Sequence, residues 1–158
     1  MEKGEGVKKV MVAIDESECS HYALEWTLKN LRETAENSKL FIFTAQPVAD
    51  LTYLYASSYG ATPIELVTSV QQNHKRVAEA LLDKAKQICS QYGVGAETCT
   101  EVGDPKEGIC KAVENLEIEL LVLGSHGRTA LQRAFLGSVC NYCVHNAKCP
   151  VLVVRKKD

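Results

Sequence analysis

Five short apolar runs rich in β-branched residues alternate with amphipathic helical patterns along this chain, and that alternation restricts its fold more than any other feature. The runs are Lys9 to Ile14, Lys39 to Ala45, Gly95 to Val102, Glu119 to Leu123 and Pro150 to Val154. Between the first two, Ser20 to Arg32 puts Leu24, Leu28 and Leu31 on one helical face, with Ser17 or Ser20 available as an N-cap. Pro63 to Tyr92 repeats Leu66, Val70, Val77, Leu81, Ala85, Ile88 and Tyr92 as an apolar stripe, ended by Gly93 and Gly95. A third helix opens on Asp104-Pro105, a capping residue followed by proline at the first helical position, with Glu107 at capping-box spacing and Ile109, Val113 and Leu116 facing inward. A fourth runs from about Ser138 to Ala147, and Pro150 prevents its extension. The order β-α-β-α-β-α-β-α-β predicts an α/β fold: an open, twisted, parallel five-stranded sheet with helices on both faces and right-handed crossovers.

At 158 residues the chain is long enough for one well-buried domain, and it shows no repeat, low-complexity tract or second domain. We expect residues 1–7 to form a flexible N-terminus and Gln46 to Thr62, which lacks periodicity and holds Pro47 and Gly60, to form a long loop. Net charge is only −2, so electrostatics give no reason to expect nucleic acid or an anionic membrane as partner. The basic end, Arg155 to Lys157, reads as a solvated tail. No run approaches the roughly 18 apolar residues of a membrane helix, and Met1 to Lys9 lacks the apolar core of a secretory signal. A cytoplasmic location follows as the expectation, with the nucleus also open. Seven scattered cysteines do not form a secreted disulfide framework and read as reduced, small apolar residues.

Chemistry concentrates where strands end. In a doubly wound sheet, ligands bind beyond the carboxyl ends of the strands, where the strand order reverses. The candidates there are Asp15, Ala45 and Gly124. Asp15 can accept from ribose hydroxyls or simply cap the next helix, in competition with Ser17 and Ser20, and both readings stand. Gly124-Ser125-His126-Gly127, followed by Gly137-Ser138, lies between a strand and a helix. Glycine lets backbone amides approach a ligand closely, and a helix start supplies unpaired N–H groups that suit phosphate. Neither the P-loop nor the dinucleotide fingerprint is present. Arg128 and Arg133 could neutralise phosphate or lie solvated in the loop.

The sequence resembles the universal stress protein family over nearly its whole length. The likeness is carried by Val10-Met11-Val12-Ala13-Ile14-Asp15-Glu16-Ser17, Gly103-Asp104-Pro105, the Gly-x2-Gly-x9-Gly-Ser signature, and Cys149-Pro150-Val151-Leu152-Val153-Val154. Glu25-Trp26 and Asp104-Pro105-Lys106 look most like plant members. The resemblance implies a Rossmann-like, adenine nucleotide alpha hydrolase-like fold with strand order 3-2-1-4-5. It also implies the ATP-binding type, since every signature glycine is present. By analogy, Asp15 and the backbone of Ala13 and Ile14 would lie beside the adenosine, and Ala45 would offer main-chain bonds to the adenine edge. Leu123, Gly124, Ser125, Gly127, Arg128, Gly137, Ser138 and Val139 would surround ribose and phosphates. The ligand implied is ATP or AMP, with Mg2+ accompanying ATP phosphates. The family pairs last strands across a two-fold axis, implying a homodimer through residues 150–154.

A nucleotide-dependent sensor or switch in stress response fits better than an enzyme. Hydrolysis needs a positioned base and usually a metal, and only Asp15 and His126 offer themselves, so slow turnover at most is expected. No residue is assigned a catalytic role, and His21 and His145 lack ligand-spaced partners for a metal. The alternative is a redox-active or chaperone-like dimer in which Cys140 and Cys143 respond to oxidation, since a Cys-x-x-Cys pair near a helix start can have a lowered thiol pKa. The same two residues can equally be packing groups. His74 and Trp26 read as packing residues.

Overall fold

The computed structural model describes residue 6 and residues 8–48, 64–125 and 137–157. The N-terminus, most of the long loop, His126, Gly127, Arg128 and Arg133 therefore lie outside the described residues. In chain order the elements are β1 (Lys9–Ala13), α1 (Glu18–Asn30), α2 (Arg32–Asn37), β2 (Lys39–Gln46), α3 (Ile64–Gln91), β3 (Ala96–Val102), α4 (Pro105–Asn115), β4 (Leu120–Gly124), α5 (Ser138–Asn146) and β5 (Val151–Val154). The five strands form one sheet in the order β3-β2-β1-β4-β5. Every neighbouring pair is parallel.

A strand buried on both faces must be apolar there, and β1 is so from Val10 onward. Its Val10 and Val12, with Ile14 just beyond, pack beneath α1 and α3 with Leu24, Leu28, Leu82 and Ala85. Its Met11 and Ala13 turn to the other face, against Ile109, Ala112 and Val113 of α4 and Cys140 and Cys143 of α5. The sheet thus separates two apolar clusters, one per face. No helix among the described residues is long and apolar enough to cross a membrane.

Two helices differ from the sequence expectation. The first ends at Asn30, and the separate six-residue α2 follows, burying Ala35. In α3 Ala85 is buried as expected, while Ala78, Leu82 and Cys89 are buried in place of the neighbouring Val77, Leu81 and Ile88. Leu81, Ile88 and Tyr92 pack at the edge of that core instead. Leu66 and Val77 are 40% and 43% exposed. The reason is length. At about 1.5 Å per residue, 28 residues reach about 42 Å, whereas the eight-residue β2 spans about 26 Å. The first half of α3 therefore outruns the sheet. His74 there acts as a tether, with Nδ1 2.9 Å from the Pro47 carbonyl oxygen.

Helices α3 and α4 end in the same motif with different residues. The Val94 amide reaches back to the Cys89 carbonyl at 2.9 Å and Gly93 to Ser90 at 2.9 Å, with Gly93 at φ +73°. In α4 the Ile118 amide bonds Val113 at 2.9 Å and Glu117 bonds Glu114 at 3.2 Å, but the left-handed position is Glu117 at φ +55°. A side chain costs about 1 kcal/mol or more in that region. The Lys9–Glu117 ion pair, 3.9 Å long and exposed, offsets little of it. Glu117→Gly is accordingly expected to stabilise the fold by about 0.5–1 kcal/mol, raising Tm by about 2–3 °C in a scanning melt. An unchanged or lower Tm contradicts this account.

Candidate functional site

Strand register brings the sequence candidates to one height. Ala13 lies opposite Phe43 of β2, and Val12 lies opposite Val122 of β4. Two residues further on, Asp15 is level with Ala45, and Ile14 with Gly124. All stand at the carboxyl ends of β1, β2 and β4, and the β1/β4 junction is the switch point of the strand order.

The β1–α1 turn is held by a network of hydrogen bonds. Ile14 donates its amide to the Phe43 carbonyl at 2.8 Å. The buried Thr44 hydroxyl donates to the Ile14 carbonyl at 2.8 Å. Asp15 donates its amide to Ser20 Oγ at 3.0 Å. The Ser20 hydroxyl is in turn shared between the carbonyls of Asp15 and Ser17, at 3.0 and 3.1 Å. Ser17, not Ser20, is the N-cap of α1, accepting from the Ser20 amide. Asp15 Oδ1 accepts the Ser17 amide at 2.8 Å and the Ser17 hydroxyl. One carboxylate oxygen thus shapes the turn, but Asp15 is not the cap of α1 that one of its two readings allowed, because Ser17 holds that position and Asp15 braces it.

The β4–α5 connection closes on itself. Ser125 donates its amide to Val154 and accepts that of Gly137, both at 2.9 Å, so the chain leaves β4 and rejoins α5 at one point. Ser125 is 2% exposed, and among the described residues its Oγ alone is a buried side-chain polar atom without a hydrogen-bond partner. A hydroxyl left so costs about 1–3 kcal/mol. Gly137 is the N-cap of α5 at φ −58°, ψ 157°, and no side chain caps that helix. Any residue adopts those angles, and serine or aspartate there would add a side-chain cap worth roughly a few tenths of a kcal/mol over glycine. Glycine instead leaves the amides of Ser138, Val139 and Cys140 without an intrahelical acceptor. Gly124 has a different task. A Cβ on it would sit 2.7 Å from the Cys19 carbonyl oxygen and 3.0 Å from the Ser20 amide nitrogen, so it lets the first turn of α1 lie against β4.

Of the remaining candidates, Ala13, Ile14 and Leu123 are buried and offer only main chain, Ala45 and Val139 are half-buried, and Ser138 is exposed. On the α1/α3 side, a cleft of about 440 Å3 shares the Asp15–Ser17 rim and is walled by His21, Glu25, Lys84 and Ile88. The α5 amides lie on the other side of the sheet from those two helices. Among the described residues no cluster of His, Cys, Asp or Glu could hold a metal ion.

The universal stress protein family model matches residues 6–155. The chain belongs to the universal stress protein family. A universal stress protein A-like protein of Arabidopsis thaliana is 32% identical over 158 residues, covering 94% of this chain and 90% of its own. The crystal structure of an Arabidopsis thaliana universal stress protein family protein with AMP bound matches with TM-score 0.68 at 26% identity, over 95% of this chain and 92% of that one. Universal stress protein UspA from Lactobacillus plantarum, at 20% identity, matches with TM-score 0.78 over 96% and 100% of the two chains and shares the fold.

Within this universal stress protein fold, Cys140 and Cys143 face the α4/α5 core, 3% and 0% exposed. Burial pushes the Cys140 thiol up from its ordinary 9.0 to about 11 and drives Cys143 upward too. That is the reverse of what disulfide exchange needs. Burial raises Cys89 and Cys99 to about 11 as well, with Glu101 and Glu97 adding to the rise at Cys99. A folded pKa above the unfolded one means these thiols favour the native state fully below about pH 9 and cease to as pH climbs through about 11. Tm measured from pH 8 to 11 is expected to fall across that window, and a flat profile contradicts it.

Two residues important to the site escaped the sequence reading as such. Thr44 looked like one more strand residue, and Ser20 like a rival cap. The signal available was Asp-x-Ser-x-x-Ser directly after an apolar strand, a spacing that folds hydroxyls back onto a turn.

Proposed function

We propose that this protein binds an adenine nucleotide, AMP or ATP, across the carboxyl ends of β1, β2 and β4, and acts as a nucleotide-dependent sensor or switch in stress response. The observation that carries the reading is the start of α5: a glycine N-cap in angles open to any residue, uncapped, beside the orphaned Ser125 hydroxyl. Bare amides at a helix start hold phosphate. In this reading the phosphates meet Gly137, Ser138 and Val139, with Ser125, Gly127 and Arg128 from the adjoining segment. The ribose meets Asp15 and Gly124, and the adenine meets the main chain around Ala13, Ile14, Ala45 and Leu123. The AMP-bound relative supports this choice of ligand. Mg2+ would enter only with ATP phosphates. Slow hydrolysis at most fits the site, because Asp15 Oδ1, the carboxylate oxygen a general base would use, already accepts the Ser17 amide and hydroxyl.

Calorimetric titration of the full chain with AMP and with ATP tests the reading, alongside mass spectrometry of whatever co-purifies natively. Saturable binding of either is expected, and silence from both at millimolar concentration overturns it. The protein is also proposed to pair with a second copy through residues 150–154, in the cytoplasm. β5 is an edge strand whose Val151, Leu152 and Val153 stay half-exposed, and such an edge favours a cover. A monomer by light scattering at tens of micromolar overturns the pairing alone.

A further inference from the structure

Ser20 is buried, 5% exposed, yet it lies in a helix turn next to the proposed nucleotide site. Its hydroxyl accepts the Asp15 amide and bonds back to the Asp15 and Ser17 carbonyls. Its own amide nitrogen lies against Gly124, within 3.0 Å of where a Cβ would stand. One residue therefore touches both the turn carrying Asp15 and the strand end leading to α5. N-capping does not explain the hydroxyl, because Ser17 already caps α1. Helix propensity does not either, since alanine is the better helix former.

We infer that Ser20 is a positioning residue of the nucleotide site, fixing the backbone of Asp15 so that its carboxylate stands at the β1/β4 junction. The inference rests on the nucleotide reading above. The mechanism is pre-organisation: a turn already fixed by internal bonds loses less freedom when ligand arrives. Alanine at position 20 removes the hydroxyl without adding bulk, and loses a hydrogen bond worth about 0.5–1.5 kcal/mol, or up to about tenfold in affinity.

The experiment compares wild type, Ser20→Ala, Asp15→Ala and the double variant by AMP calorimetry, with amide exchange at Asp15 followed by NMR. Ser20→Ala is expected to speed exchange of the Asp15 amide and weaken AMP about fivefold to tenfold, and to have no further effect once Asp15 is alanine. Ser20→Thr, which keeps the hydroxyl, is expected to restore Asp15 protection. Unchanged Asp15 exchange in Ser20→Ala overturns the positioning role whether or not nucleotide binds. An affinity loss that persists undiminished in the Asp15→Ala background also overturns it, since Ser20 would then act through stability. If wild type binds no nucleotide, the underlying reading fails and the inference with it, even where the exchange data still show the clamp.

Discussion

Gly137→Val is expected to remove AMP binding, weakening it at least about 100-fold, while Tm falls by only about 2–4 °C. The small thermal cost follows from the backbone: φ −58°, ψ 157° is open to valine, which is merely a poorer N-cap than glycine. The large binding cost follows from volume. Phosphate oxygens must come within about 3 Å of the first amides of α5, and a branched side chain beside them excludes that approach. Calorimetry and a melt on the same preparation separate the two effects. Binding within threefold of wild type would mean that the bare helix start is not where the anion sits. A collapse in Tm would instead assign Gly137 to the fold.

Gly124→Ala should behave in the opposite way, with stability as the first casualty. Its new methyl would lie 2.7 Å from the Cys19 carbonyl oxygen, 2.8 Å from that carbonyl carbon and 3.0 Å from the Ser20 amide nitrogen. All three are backbone atoms of α1, so no rotamer change relieves the contact, and the helix must lift from β4. Overpacking of this kind costs about 3 kcal/mol, which in a chain of this size lowers Tm by about 6–12 °C. AMP affinity should decline too, because the same turn carries Ser17 and Ser20. A melting point within 2 °C of wild type would show that α1 does not depend on this close approach.

The contrast between these glycines marks where sequence reasoning ran out. Both belong to one spacing signature, and both read as ligand-facing. Only tertiary packing distinguishes Gly124, pressed against a helix distant in sequence, from Gly137, whose angles demand nothing of it. The sheet itself was legible, because a run such as Val10 to Ile14 admits no other home than a strand covered on both faces. Asp104 capping α4 was equally plain, and its carboxylate does accept the Lys106 amide at 3.1 Å. Helix α2 was not legible: Arg32 to Asn37 offers one apolar residue and no stripe. The inward face of α3 was read correctly at Ala85 but one position off at Leu82 and Cys89, because its stripe is broad and Leu81 and Ile88 compete for the same face. Asp15, read as a ribose partner or a helix cap, is not the cap of α1: Ser17 is, and one Asp15 oxygen braces it.

The Ser125–Gly137 hydrogen bond has a consequence for how such a protein can change. Because β4 and α5 are joined at the neck by their own backbones, that bond fixes where the helix starts relative to the sheet. A substitution at either end of the neck would move the bare helix start against the strand ends, so anion preference can diverge there without retuning the core.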